Sequence, residues 1–375
     1  MLNEKRILIT AGGTGGHVNP ALAVAGGIRR KYPGAEILFV GTDDRIETEI
    51  VPAAGFKLET IRMTGFERQL TWKNIKDNFK TLIYLAGSSS AVNKILDSFK
   101  PDIVVGFGGY VSGPVVRCAV KKGIPTAIHE QNAYPGMTNK ALAKITDKVM
   151  LTVEKAKESM KPKNPPVVTG LPVRNEIISA DREFARAELG IDEKPLILSM
   201  GGSLGARAIN NAMLDLITKL APEGRCNFIH ATGHYGLWFS DKLKENGIDC
   251  ENRKDIIIRE YINDMDRCMA AADLIICRSG ASSLSEIQAT GKASLLIPSP
   301  NVAENHQYHN AMALVEKGAA VIIEEKDLEG NKLYDTVSEL ISSPAKLEEL
   351  GKNAKKMAIT DATERIISAL EQLLK

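Results

Sequence analysis

The chain has 375 residues, 44% of them hydrophobic and 25% charged, with 48 Lys+Arg against 46 Asp+Glu. That length exceeds one ordinary core and calls for two domains. A formal charge of +2 gives no global electrostatic argument for a nucleic-acid partner. Five scattered cysteines (Cys118, Cys226, Cys250, Cys268 and Cys277) form no C-x-x-C pair, so they read as reduced thiols of a cytoplasmic protein.

The opening stretch MLNEKRILIT carries charges and then enters a strand, which is not the pattern of a signal peptide. No apolar run approaches the roughly 20 residues that span a bilayer. The strand RILIT feeds a loop with Gly12, Gly13, Gly15 and Gly16 around Thr14, and a helical stretch follows. Glycines let the backbone approach a ligand, and the helix start behind them favours a negative group. A dinucleotide fingerprint fails because Val18 takes its third glycine site, and Walker A fails for want of Lys-Ser/Thr. Asp43 and Asp44 after the second strand keep a ribose-binding acid, and so a dinucleotide reading, open.

Farther along, Trp72, Ile75, Phe79, Leu82 and Ile83 recur at helical spacing beside Arg68, Lys73, Lys76 and Lys80. This is either a helix packed on a sheet or an apolar patch with a cationic rim for anionic lipid. VVGFGGYVSGPVV brings Tyr110 and Ser112 to a third glycine-rich strand end, and HEQNAYPGMTN adds Glu130, Gln131 and Asn132. In open α/β sheets the carboxyl ends of strands are where ligands bind. Four prolines within residues 161–174 then mark a boundary.

A second α/β series restarts with PLILSMGGSLGAR, whose Ser203 and helix start suit a pyrophosphate. CRSGASSLSEI puts Ser279, Gly280, Ser282 and Ser283 at another helix start, with Glu286 one turn in. That carboxylate is either a charge favoured by the helix dipole or an acceptor for ribose hydroxyls. ENHQYHNA gathers His306, Gln307 and Asn310; His306 and His309 lack a third ligand at metal spacing, so no metal is expected. The tail forms an amphipathic helix with Ile366, Ile367, Leu370 and Leu374 on its apolar face.

Taken in order, GGTGGHVNPALAVA, GFGGYVSGPVV, HEQNAYPGMTN, GLPVR, GGSLGAR, CRSGASSLSEI and ENHQYHNA resemble the MurG family of bacterial glycosyltransferases, within glycosyltransferase family 28, from about residue 5 to about residue 372. The resemblance implies an α/β GT-B fold, two Rossmann-like doubly wound parallel-sheet domains facing across a cleft. It implies an acceptor- and membrane-facing domain over 1–165, a UDP-GlcNAc-binding domain over 166–357, and a terminal helix, 358–375, packed back on the first. The implied reaction is GlcNAc transfer from UDP-GlcNAc to undecaprenyl-pyrophosphoryl-MurNAc-pentapeptide, lipid I to lipid II, in peptidoglycan synthesis.

No cofactor or metal is implied. The partners are the donor, the lipid acceptor, the anionic inner-membrane surface on its cytoplasmic face, and cell-wall or division machinery. Donor contacts carry over to Thr14, Gly15, Gly16, Asn132, Arg174, Ser203, Ile262, Ala281, Ser282, Ser283, Leu284, Ser285, Glu286 and Gln307. Acceptor contacts fall on Tyr110, Ser112 and Glu130, and membrane contacts on Trp72, Lys73, Ile75, Lys76, Phe79 and Lys80. Two positions depart from the family: His306 where it often has glutamine, and Leu204 where glutamine is frequent.

On this reading the first loop ends on His17 because a sugar hydroxyl needs a base to attack at neutral pH. One displacement at an α-linked donor inverts the anomeric centre, helix N-termini and Arg174 meet the charge of departing UDP, and domain closure excludes water. A UDP-GlcNAc 2-epimerase of the same architecture and an NAD-dependent oxidoreductase are the alternatives.

Overall fold

The computed structural model describes residues 2–62, 89–328 and 330–375. The expected membrane segment with Trp72, Lys73, Ile75, Lys76, Phe79 and Lys80 lies outside them. The chain divides into two compact units, Met1–Pro172 with Asp361–Lys375, and Val173–Thr360. It passes from one to the other within the proline-rich stretch.

Among the described residues the first unit holds seven strands: β1 (Arg6–Thr10), β2 (Glu36–Thr42), β3 (Lys57–Ile61), β4 (Ile103–Gly106), β5 (Thr126–Glu130), β6 (Lys148–Leu151) and β7 (Val167–Val168). Their order is β3-β2-β1-β4-β5-β6-β7, and every pairing is parallel. Helices α1 (Gly15–Lys31), α2 (Glu47–Ala53), α3 (89–99), α4 (Ser112–Lys121) and α5 (Met137–Ala143) connect them. Central strands such as β4 are apolar throughout because helices cover both faces. One apolar cluster lies on the α1 side and another on the α4 side.

The C-terminal helix, Ala362–Leu373, joins the α1-side cluster through Ile366, Ile367 and Leu370, all buried. Each such side chain contributes about 1.5–3 kcal/mol by burial. Glu371 adds an ion pair to Lys31 and accepts a hydrogen bond from the Tyr32 hydroxyl.

The second unit repeats the plan. Its strands are β8 (Leu196–Met200), β9 (Asn227–Ala231), β10 (Ile256–Arg259), β11 (Leu274–Cys277), β12 (Ala293–Leu296) and β13 (Val321–Ile322). Their order is β10-β9-β8-β11-β12-β13, again all parallel. The helices are α6 (Asn175–Ser179), α7 (Arg182–Leu189), α8 (Arg207–Leu220), α9 (Phe239–Glu245), α10 (Met265–Ala271), α11 (Ala281–Thr290), α12 (His306–Val315), α13 (Lys332–Ile341) and α14 (Pro344–Lys356).

Strand order reverses between β1 and β4 in one sheet and between β8 and β11 in the other. Such switch points leave a crevice at the carboxyl ends of the strands. The topology therefore brings residues 11–17 beside 107–111 in one unit, and 201–206 beside 278–281 in the other.

Candidate active site

In the first unit the β1–α1 loop is held by a residue that the sequence motifs do not include. Glu47, at the start of α2, is fully buried; its carboxylate accepts from Gly13 N–H at 3.1 Å, Thr42 N–H at 3.0 Å and the Thr42 hydroxyl at 2.6 Å. Behind this loop α1 begins at Gly15 with Thr14 as an extended cap, and no acid stands in its first turn. The first N–H groups of a helix have no intrahelical partner, so they face outward as donors.

His17 is half-buried, and its Nδ1 lies 3.1 Å from Gln131 Oε1. Its ring occupies the space left by Gly108, where a Cβ would lie 2.8 Å from Nδ1. Gly108 is also left-handed (φ +101°), so glycine is required twice over. Ser112 is fully buried; its hydroxyl donates to Gly108 O at 2.7 Å and accepts from Gly108 N–H at 3.1 Å.

Glu130 is also buried, and its oxygens accept from Asn132 N–H and Nδ2, Gly136 N–H and Asn139 Nδ2 at 2.8–3.2 Å. Burial and these four donors place Glu130 inside the scaffold of its loop, as Ser112 is inside its own, whereas sequence reasoning gives both an acceptor contact. Tyr110, in the β4–α4 loop, stands half exposed. The Asp43 and Asp44 carboxylates pair with Arg62 and Arg45 at the surface.

In the second unit the β8–α8 loop is built from backbone. Gly205 and Gly233 pack so closely that a Cβ on either would lie 2.0–2.2 Å from main-chain atoms across the contact. Ser203 O and Leu204 O accept from His234 N–H and Tyr235 N–H, while the Ser203 and Leu204 side chains are exposed. Neither α8 nor α11 has an acid in its first turn.

Ala281, Ser282 and Ser283 open α11 half exposed, whereas Leu284 and Ser285 turn inward. Glu286 sits one turn in, its Oε1 3.3 Å from the Arg174 guanidinium. Burial pushes its carboxyl above the ordinary value, and Arg174 pulls it back. Ser279 Oγ donates to Gln307 O at 2.8 Å, tying the start of α12 to this loop. Gln307 Oε1 accepts from Ser299 N–H, which leaves its NH2 group as donor. Ile262 is buried and can offer only its backbone. An Asp-x-Asp does occur, at Asp264–Met265–Asp266 where α10 begins, a pattern the sequence reasoning passes over; Asp264 is taken up by Arg259 at 2.5 Å.

Two doubly wound parallel sheets with glycine loops at their switch points, one loop ending on a histidine, place the chain in the GT-B fold class. Residues 7–151 match the glycosyltransferase family 28 N-terminal domain and residues 196–366 its C-terminal domain. The chain belongs to glycosyltransferase family 28.

It is 42% identical over 371 residues to the UDP-N-acetylglucosamine--N-acetylmuramyl-(pentapeptide) pyrophosphoryl-undecaprenol N-acetylglucosamine transferase of Desulforamulus reducens, covering 98% of this chain and 99% of the relative. The protein of the same name from Acetivibrio thermocellus is 41% identical, covering 99% and 98%. The crystal structure of Acinetobacter baumannii MurG superposes with a TM-score of 0.78 at 27% identity, covering 98% of this chain and 99% of that one.

Proposed function

We propose that this chain is an inverting N-acetylglucosaminyltransferase. It moves GlcNAc from UDP-GlcNAc to the 4-hydroxyl of MurNAc in undecaprenyl-pyrophosphoryl-MurNAc-pentapeptide, turning lipid I into lipid II. The observation that carries this reading is the near-full-length relative at 42% identity, whose name states that transfer.

The first unit supplies the base. His17 takes the proton of the acceptor hydroxyl as its oxygen attacks the anomeric carbon. The bond from that carbon to the β-phosphate oxygen breaks, and UDP leaves with the electron pair. Thr14 and Asn132 position the reacting groups, Gly15 and Gly16 offer N–H donors, and Tyr110 meets the acceptor. Glu130 and Ser112 act behind them by holding the loops.

The second unit holds the donor. Ser203, the first turn of α11 from Ala281 to Ser285, and Arg174 meet the diphosphate, whose growing charge the helix starts stabilise. Glu286 takes the ribose hydroxyls, the Ile262 backbone the uracil, and Gln307 the sugar. No metal is assigned a step.

The decisive assay follows UDP release from UDP-GlcNAc with and without a lipid I analogue, before and after EDTA. Acceptor-dependent release that survives EDTA supports the reading. Epimerised sugar or acceptor-independent release would point to the 2-epimerase alternative instead.

The acceptor's tail stays in a bilayer, so the enzyme works as a peripheral protein at the cytoplasmic membrane face. Among the described residues no helix is long and apolar enough to cross a membrane. The docking segment is the stretch with Trp72, Ile75 and Phe79 beside Lys73, Lys76 and Lys80. Each cation near an anionic leaflet contributes roughly 1 kcal/mol. Changing the three lysines to glutamate should reduce vesicle co-sedimentation and slow transfer to the lipid acceptor, but spare a short-chain analogue. Equal loss on both acceptors would remove the segment from this role.

A further inference from the structure

A neutral histidine has one lone pair, and a base is useful only if that lone pair faces the proton to be removed. The contacts of His17 settle which nitrogen carries it. Nδ1 faces Gln131, and the orientation of the Gln131 amide is fixed by its other contacts. Gln131 Nε2 lies 2.8 Å from Phe107 O and 3.2 Å from His129 O. Carbonyl oxygens only accept, so the NH2 group faces them and Oε1 faces His17. Nδ1 of His17 must then be the N–H, which leaves the lone pair on Nε2.

The same logic extends one residue deeper. His129 Nε2 lies 2.9 Å from Gly170 O, so it carries the proton, and its bare Nδ1 sits 3.2 Å from Gln131 Nε2. His129 is fully buried, and burial pushes its pKa down to about 4, so it stays neutral and keeps an acceptor turned to Gln131. Its ring stacks on Phe107 at 5.5 Å, which fixes its plane. Gln131 itself is only 3% exposed, so bulk water does not compete for its amide.

We propose that Gln131, backed by His129, is a positioning residue that locks His17 in the Nδ1–H tautomer and so presents Nε2 as the base. The proposal rests on His17 being the base of the transfer. A carboxylate does this job in the Ser-His-Asp arrangement. Here a neutral amide oxygen accepts from Nδ1–H in the carboxylate's place.

The test is long-range 1H–15N correlation on the 15N-labelled full chain, with His17 assigned by the loss of its signals in His17→Ala. The expected result is a protonated Nδ1 and a bare Nε2 in the neutral ring; a protonated Nε2 would overturn the proposal without any variant. Gln131→Met keeps the volume and leaves only a weak acceptor. It should shift the ring toward the other tautomer and lower kcat about ten- to a hundredfold, with donor KM within twofold. Gln131→Glu, with the oxygen that faces Phe107 O protonated, still accepts from Nδ1–H and should retain the wild-type tautomer signature.

Because Gln131 acts through His17, adding Gln131→Met to His17→Ala should cost nothing further in kcat. A multiplied loss in the double variant would assign Gln131 to the fold alone. Wild-type turnover in His17→Ala would instead remove the base reading while leaving the tautomer measurement standing, so the two failures are separable.

Discussion

The two glycine loops are held in place by different means. The β1–α1 loop is held by side chains that come from far along the chain: Glu47 on Gly13, and Gln131 on His17. The β8–α8 loop is held main chain to main chain by the loop after β9, with Gly205 against Gly233 and two of its carbonyls bonded to the N–H groups of residues 234 and 235. Proton transfer needs one atom at one place in one protonation state, and only a side-chain network fixes that. Binding a diphosphate needs several N–H groups and a helix start, most of which the backbone supplies, with Ser203 and Arg174 added on the proposed reading. A loop that carries chemistry is thus more exposed to side-chain mutation than one that carries charge.

The largest expected effect follows directly. His17→Ala should lower kcat by about 10²- to 10⁴-fold with donor affinity little changed. Steady-state kinetics with varied donor separates the two parameters. Ser203→Ala in the other loop should show the opposite pattern, a modest rise in donor KM at nearly constant kcat. Matching kcat losses in both variants would mean that the loops share one role and that the contrast is false.

Acid treats the two units alike. His129 in the first unit and His230 in the second are fully buried, and burial pushes their pKa values down to about 4 and about 3. Unfolding returns each to its ordinary value near 6.5. Below that pH the unfolded chain takes up protons that the folded chain refuses, so stability present above pH 6.5 is lost as the pH falls toward 4 and 3. By pH 4 each histidine should have removed about 3 kcal/mol. Denaturant titrations at pH 7 and pH 4 measure the loss. His230→Asn keeps a polar group near Ser199 Oγ, which lies 2.8 Å from His230 Nδ1, and cannot titrate there. That variant should flatten the dependence by about half; an unchanged slope would shift the acid sensitivity to the carboxylates.

Glu47→Ala tests how far the first loop depends on side chains. It strands the Gly13 and Thr42 N–H groups and empties a buried site, which should cost about 2 kcal/mol of stability. Thermal melts report the loss, and kcat should fall with it because the loop carries His17. A stable variant with normal kcat would show that the backbone alone shapes this loop as well.

The contrast also explains what could be read from sequence. Central strands are legible because burial on both faces makes them apolar throughout. Three of the four edge strands are not: Lys57–Ile61 is largely exposed, and Val167–Val168 and Val321–Ile322 have two residues each, whereas the fourth, β10, shows in its run of isoleucines. Glycine loops and His17 stand out because their spacing is local. Glu47 and the wiring of Gln131 do not, because their partners lie 34 and 114 residues away, and only the sheet order brings them together. No local pattern distinguishes Glu47 from Glu49, the other acid of its helix.

The smallest expected effect belongs to Leu204, at the tip of the second loop. Its side chain is 57% exposed, while its carbonyl accepts from Tyr235 N–H at 3.1 Å. Leu204→Ala removes only the exposed part and leaves that bond and the Gly205–Gly233 contact in place. Exposed substitutions of this kind usually change stability by less than about 0.5 kcal/mol. Donor KM should move less than about threefold, a shift below roughly 1 kcal/mol. Titration of UDP-GlcNAc against both proteins measures it. A tenfold change would mean that side chains at this tip recognise the donor, and the second loop would then resemble the first.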